Sequence, residues 1–146
     1  MKKVILSIGL LLSMVSMAYG AGTLTQDYAE HGAMKVATLE WTTSAGGMFT
    51  STLMSKSING FVVMVETDPD DTAIPTAAYD ITLLDTGEVD IMGGSLANRD
   101  AANTEITMPL LNGNYTGVTV QGKLTLTVAA AGLAKKGVVK IFYYAQ

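Results

Sequence analysis

Hydrophobic and polar residues alternate along this chain mostly with the two-residue period of a strand, and scarcely anywhere with that of a helix. From Met34 to Thr43 the residues Ala37, Leu39 and Trp41 share one face, with Lys35 interrupting it at its start. Phe61 to Val65 is continuously apolar, which predicts a central strand buried on both faces. Tyr79 to Leu84 sets Tyr79, Ile81 and Leu83 against Asp80 and Thr82. The cleanest alternation is Lys123 to Val128, with Leu124, Leu126 and Val128 inward and Lys123, Thr125 and Thr127 outward. Val138 to Tyr144 closes the chain with β-branched and aromatic residues suited to a pleated surface.

Turn signals separate these runs. Asn59-Gly60 and Asn112-Gly113 suit the positive φ angles of tight hairpin turns. Asp85-Thr86-Gly87 divides the Tyr79 run from Val89 to Met92, and Asp68-Pro69-Asp70-Asp71 opens a loop that Pro75 keeps out of strand. Gly132 to Gly137 predicts a C-terminal hairpin between the last two strands, and only Ser95 to Ala102 offers a helical turn. About seven or eight short strands at such spacing predict an all-β fold, an antiparallel β-sandwich of jelly-roll or immunoglobulin-like type. Its predicted core includes Trp41, Phe61, Val63, Val65, Ile81, Leu83, Leu124, Leu126, Val128, Ile141 and Tyr143.

The first twenty residues follow a different pattern. Lys2 and Lys3 precede an apolar run from Val4 to Val15, broken only by Ser7, Gly9 and Ser13, and small residues follow at Ala18 and Gly20. That order is the one a secretory signal peptide needs. The apolar run is well short of the ~20 residues of a spanning helix. Residues 1–20 are therefore expected to be a signal peptide (or an apolar anchor), with Ala21 or Tyr19 as the new N-terminus. Residues 21–146 are expected to form a single β-sandwich domain, with no membrane segment after cleavage.

Charge and composition narrow the chemistry. The formal net charge is −4, and loss of Lys2 and Lys3 would make it −6. Such an excess of acid argues against nucleic-acid binding, which depends on neutralising phosphates. The chain has no cysteine and one histidine, which excludes disulfides, thiolate metal sites and a cysteine nucleophile. His31 sits in a segment of no clear periodicity, and no motif supplies it with a nucleophile or an orienting acid. No G-x-S-x-G elbow, S-x-x-K pair or phosphate-binding loop occurs, Gly93-Gly94-Ser95 lacking the required order. No catalytic, cofactor-binding or metal-ligating residue is therefore predicted, and no cofactor. The best metal candidate is the loop of Asp68, Asp70 and Asp71, joined by Asp85 or Asp90, because calcium takes clustered carboxylates. It lacks the spacing of an EF-hand, and acid-rich turns are commonly only solvated. Asn114-Tyr115-Thr116 matches a glycosylation sequon that short sequences often match by chance.

No Lys or Arg falls between Lys56 and Arg99, whereas no acid follows Glu105 and Lys123, Lys135, Lys136 and Lys140 do. The acidic middle and the basic end can pair within one fold or between copies. The second case predicts a homo-oligomer that weakens with salt.

Two stretches carry a family resemblance. Pro75-Thr76-Ala77-Ala78-Tyr79-Asp80-Ile81-Thr82-Leu83, then Asp85 to Asp90, Gly93-Gly94 and Ala97-Asn98-Arg99, form the first. Gly122 to Val128 with Gly137 to Tyr144 form the second. Over roughly residues 39 to 144 the chain resembles small β-rich, virion-associated structural proteins of tailed phages and prophages. The resemblance implies a non-enzymatic virion protein, a capsid-decoration or tail-associated subunit, packing against its own copies or other virion proteins. Residues 1–20 stand outside that likeness. Read as an export signal, they imply the alternative of a secreted or periplasmic β-sandwich that binds a surface partner or glycan. The location is then the virion in the first case and the periplasm or medium in the second.

Overall fold

The computed structural model describes residues 21–145; the expected signal peptide, residues 1–20, lies outside them. Among the described residues the strands are β1 (Thr23–His31), β2 (Met34–Thr42), β3 (Thr52–Leu53), β4 (Ile58–Pro69), β5 (Asp80–Leu84), β6 (Glu105–Thr107), β7 (Leu110–Leu111), β8 (Asn114–Tyr115), β9 (Val118–Gly122), β10 (Thr125–Ala129) and β11 (Lys136–Ala145). The larger sheet runs β1-β2-β11-β4-β6, with β9 also pairing β4. The smaller sheet runs β3-β10-β5, and β7 and β8 make a separate hairpin. Every pairing is antiparallel.

The two sheets share one apolar core, as an all-β sandwich requires. Ala37, Leu39, Trp41, Val65, Val139 and Ile141 enter it from the larger sheet, and Ile81, Leu83, Leu126 and Val128 from the smaller. The sequence pattern predicts all of these inward positions except Val139.

Strand β4 departs from the prediction. Phe142 pairs with Met64 and Tyr143 with Val62, so Val63 is an extra residue in a bulge. A bulge flips the phase of the strand beyond it. Val62 and Val65 are both fully buried, whereas Phe61 is 39% exposed and Val63 and Met64 are half-buried. The run is therefore not buried on both faces, and Phe61 and Val63 leave the predicted core.

Four further readings of the sequence are corrected. Strands β10 and β11 do not form a hairpin: β10 pairs with β3 and β5, and β11 with β2 and β4. Between them Ala130, Gly132 and Ala134 all take positive φ, and the Thr43 hydroxyl donates to the Gly132 carbonyl at 2.7 Å. The chain thereby crosses from one sheet to the other. Asn59-Gly60 is no turn but lies inside β4, where Asn59 Oδ1 accepts from the Gly122 amide at 3.1 Å. The segment around His31, without clear periodicity in the sequence, is the end of β1, a nine-residue strand. Asn112-Gly113 is the predicted two-residue turn, joining β7 to β8 with both residues at positive φ. Ser95 to Ala102 forms turns and bends, not a helix.

Candidate functional site

The outer face of the larger sheet, turned away from the core, is sorted into rows by the strand register. Ala29, Val36, Phe142 and Met64 lie side by side across β1, β2, β11 and β4. The next row towards the β1–β2 turn is His31, Met34, Tyr144 and Phe61. In the opposite direction the rows turn polar. First come Asp27, Thr38, Lys140 and Glu66, then Thr25, Glu40, Val138 and Asp68. One half of the face is thus apolar and aromatic, and the other half is charged. An outward sheet face is ordinarily polar throughout.

The apolar half continues onto β6 and the β7–β8 hairpin. Val63, Met64, Ile106, Met108 and Tyr115 line a groove of about 610 Å³. Ile106 and Tyr115 are 61% and 65% exposed. The Leu110 amide ties the hairpin to the loop after β5 by donating to the Met92 carbonyl at 3.0 Å, and the Thr116 amide closes the hairpin's base by donating to the Pro109 carbonyl at 2.9 Å. The bulge at Val63 turns both Val63 and Met64 towards the groove side. Contiguous exposed apolar surface of this kind marks an interaction site more often than a bare surface.

The charged groups have structural partners. Lys140 Nζ meets Glu66 Oε1 at 2.7 Å on the adjoining strand, so the basic end and the acidic middle pair within one chain at this point. The acidic residues of the middle segment largely build turns. Asp70 Oδ1 accepts from the Ala73 amide at 2.6 Å and the Thr72 amide at 2.9 Å. Asp85 Oδ1 accepts from the Gly87 and Val89 amides at 2.8 and 2.9 Å. Asp90 accepts from Met92 and Gly94, and Asp80 from Asn98. Asp68 takes the Thr104 hydroxyl. Short side chains that accept from the backbone two to four residues ahead close loops in this way.

Asp68, Asp70 and Asp71 line one polar cleft with Glu40, Trp41 and Lys136, while Asp85 and Asp90 belong to the separate turn after β5. Among the described residues no three His, Asp or Glu side chains gather as a metal cluster. His31 is exposed at the end of β1, paired in register with Met34. In the core, the Tyr79 ring lies 5.6 Å from that of Trp41, and burial pushes its hydroxyl up to about 12, with the Glu105 charge adding to the shift.

Sequence reasoning did not anticipate the apolar outer face. Its residues come from four strands and a hairpin, and only the register brings them together. The local signals are the unbroken runs Phe61 to Val65 and Ile141 to Tyr144, each with too many apolar and aromatic residues for one buried face.

No family model matches the chain, and no curated protein matches it. Among solved structures, a chain of the "Cyanophage Pam1 capsid asymmetric unit" is similar at 18% identity and a TM-score of 0.40. The match covers 81% of this chain and 91% of that one. At that TM-score the likeness is too loose to assign either fold or role.

Proposed function

We propose that this chain is a non-enzymatic structural protein of a phage or prophage particle, a capsid-decoration or tail-associated subunit. It works by packing the apolar half of its outer face against another protein of the particle. The observation that carries this reading is the row Ala29, Val36, Phe142 and Met64, which puts apolar side chains where a free-standing sandwich would put polar ones. The partner surface that fits is apolar and aromatic at its centre, with a polar rim to meet Asp27, Thr38, Lys140 and Glu66. The resemblance of residues 75–99 and 122–144 to virion-associated proteins supports the same reading. Those residues form β5 with its covering loop, and β10 and β11, so the resemblance lies mostly in the scaffold and reaches the apolar half of the face only at Phe142 and Tyr144 on β11.

The test uses two outward substitutions on the same sheet. Phe142→Asp, in the apolar row, should yield folded protein that no longer enters particles. Thr38→Asp, in the polar row, should enter them as wild type does. Equal incorporation of both variants would remove the outer face from the proposed role. Recovery of the wild-type chain only from periplasm or medium would favour the secreted binding module instead.

A further inference from the structure

We infer that β1 is the pairing edge of a symmetric dimer, in which the same strand of a second copy adds antiparallel to it and doubles the larger sheet. This rests on the backbone and holds whether or not the particle role is correct.

Strand β1 is joined to β2 by the two-residue turn Gly32-Ala33, with Gly32 at φ +64°. In such a hairpin the closing pair, His31 and Met34, exchanges both backbone bonds. Bonding then alternates along the strand, so Thr23, Thr25, Asp27, Ala29 and His31 bond to β2. The N–H and C=O groups of Leu24, Gln26, Tyr28 and Glu30 point to the other side. Among the described residues no strand lies there.

Every other edge is short or covered. β6 has three residues and β9 five, and they share the edge of β4 on either side of the bulge. β3 has two residues. The loop after β5 covers that strand, with the Ile91 amide donating to Leu83 at 2.9 Å and the Ile81 amide to Leu96 at 3.0 Å. β1, by contrast, has nine residues without proline or bulge. Soluble proteins block such an edge with proline, bulges or inward charges. The inward charge here, Glu30, is already paired with Lys35 at 2.7 Å.

Among the described edges only a second β1 matches these nine residues in length, which makes the contact self-complementary and closes it at two copies. Charge removes the centred register. A two-fold axis at Asp27 would set Asp27 against its own copy, and like charges directly opposite are destabilising. An axis at Gln26 sets Tyr28 against Leu24, Asp27 against Thr25 and Glu30 against Gly22, with no charges opposed. The axis is normal to the sheet, so both apolar outer faces point the same way and together offer a doubled surface.

The test expresses the full chain and purifies it in the form the cell leaves. Sedimentation equilibrium across a dilution series should show twice the monomer mass giving way to the monomer mass. Amide exchange on the same samples should find Gln26 and Tyr28 slowed roughly tenfold or more at high concentration and fast on dilution. Asp27 and Ala29, bonded to β2, should stay protected throughout. Gln26→Pro, which removes the outward N–H at the two-fold axis, should give the monomer mass with an unchanged circular dichroism spectrum. A monomer at every concentration overturns the inference, and so does a dimer in which the Gln26 and Tyr28 amides exchange freely.

Discussion

Gly137 on β11 stands directly opposite Trp41 on β2, and the Trp41 indole occupies the space that a side chain at Gly137 would need. A Cβ there would lie 2.6 Å from Trp41 Cζ2 and 3.1 Å from the Asp68 carbonyl oxygen. The glycine makes room for the largest residue of the core, whose ring lies 5.6 Å from that of Tyr79 at an angle of 49°. Gly137→Ala should destabilise the fold by about 1–3 kcal/mol, the usual cost of overpacking a filled site. Denaturant unfolding measures it, and an unchanged midpoint would mean that the indole has room to move.

The bulge at Val63 makes a sharper prediction, because neighbouring residues on β4 should respond oppositely. Val62→Asp and Val65→Asp would each bury an unpaired carboxylate and should abolish folded protein, at a cost of several kcal/mol. Phe61→Asp and Met64→Asp point outward and should leave the strand signature in circular dichroism unchanged. If Met64→Asp unfolds the protein as Val65→Asp does, the run is buried on both faces after all.

Those four residues show where sequence pattern is informative and where it fails. Alternation exposes the inward positions of β5, of β10 and of β2 from Ala37 to Trp41 because their outward neighbours are largely polar, whereas on β11 only Lys140 interrupts an outward row of Val138, Phe142 and Tyr144. On β4 both faces carry apolar side chains, so the phase is invisible and only the register with Phe142 and Tyr143 reveals the bulge. β1 is hidden for the opposite reason, since its inward face mixes Leu24 and Tyr28 with Gln26, whose side chain accepts the Ser55 amide at 2.7 Å. The Gly132–Gly137 link has the composition of a hairpin turn, and composition does not tell whether the strands it joins share a sheet. The outer face was legible residue by residue but not as a surface, because its rows exist only across strands.

Acid should weaken the fold through its turns. The Ala73 amide, followed by the Thr72 hydroxyl and amide, holds the Asp70 carboxyl below its ordinary value of 3.8. Asp100 is lowered likewise, first by the Asn103 side chain and then by the Ala102 amide. A carboxyl lowered in the folded state contributes stability above its unfolded value, and that contribution disappears as pH falls through the folded one. Stability should therefore decline below about pH 4, and the double variant Asp70→Asn, Asp100→Asn should flatten that decline. An identical acid limb in wild type and variant would remove both turns from the explanation.

Alkali should act through Tyr79. Its hydroxyl is raised from 10.0 to about 12, first by burial and then by the Glu105 charge, so the folded state holds the proton after the unfolded state has lost it. The stability this represents is complete below pH 10 and is lost as pH rises towards 12. Tyr79→Phe should keep the fold and move the onset of alkaline unfolding upward, read by circular dichroism alongside tyrosinate absorbance. An onset at the same pH would place the alkaline sensitivity elsewhere.

Quantitative mass spectrometry of purified particles, from the genome that carries this gene, tests the structural role most directly. The role predicts peptides from residues 21–146 in a fixed ratio to the major structural proteins of the particle, unchanged by further purification. Particles free of those peptides, with the chain recovered only from the cell envelope or medium, would contradict it.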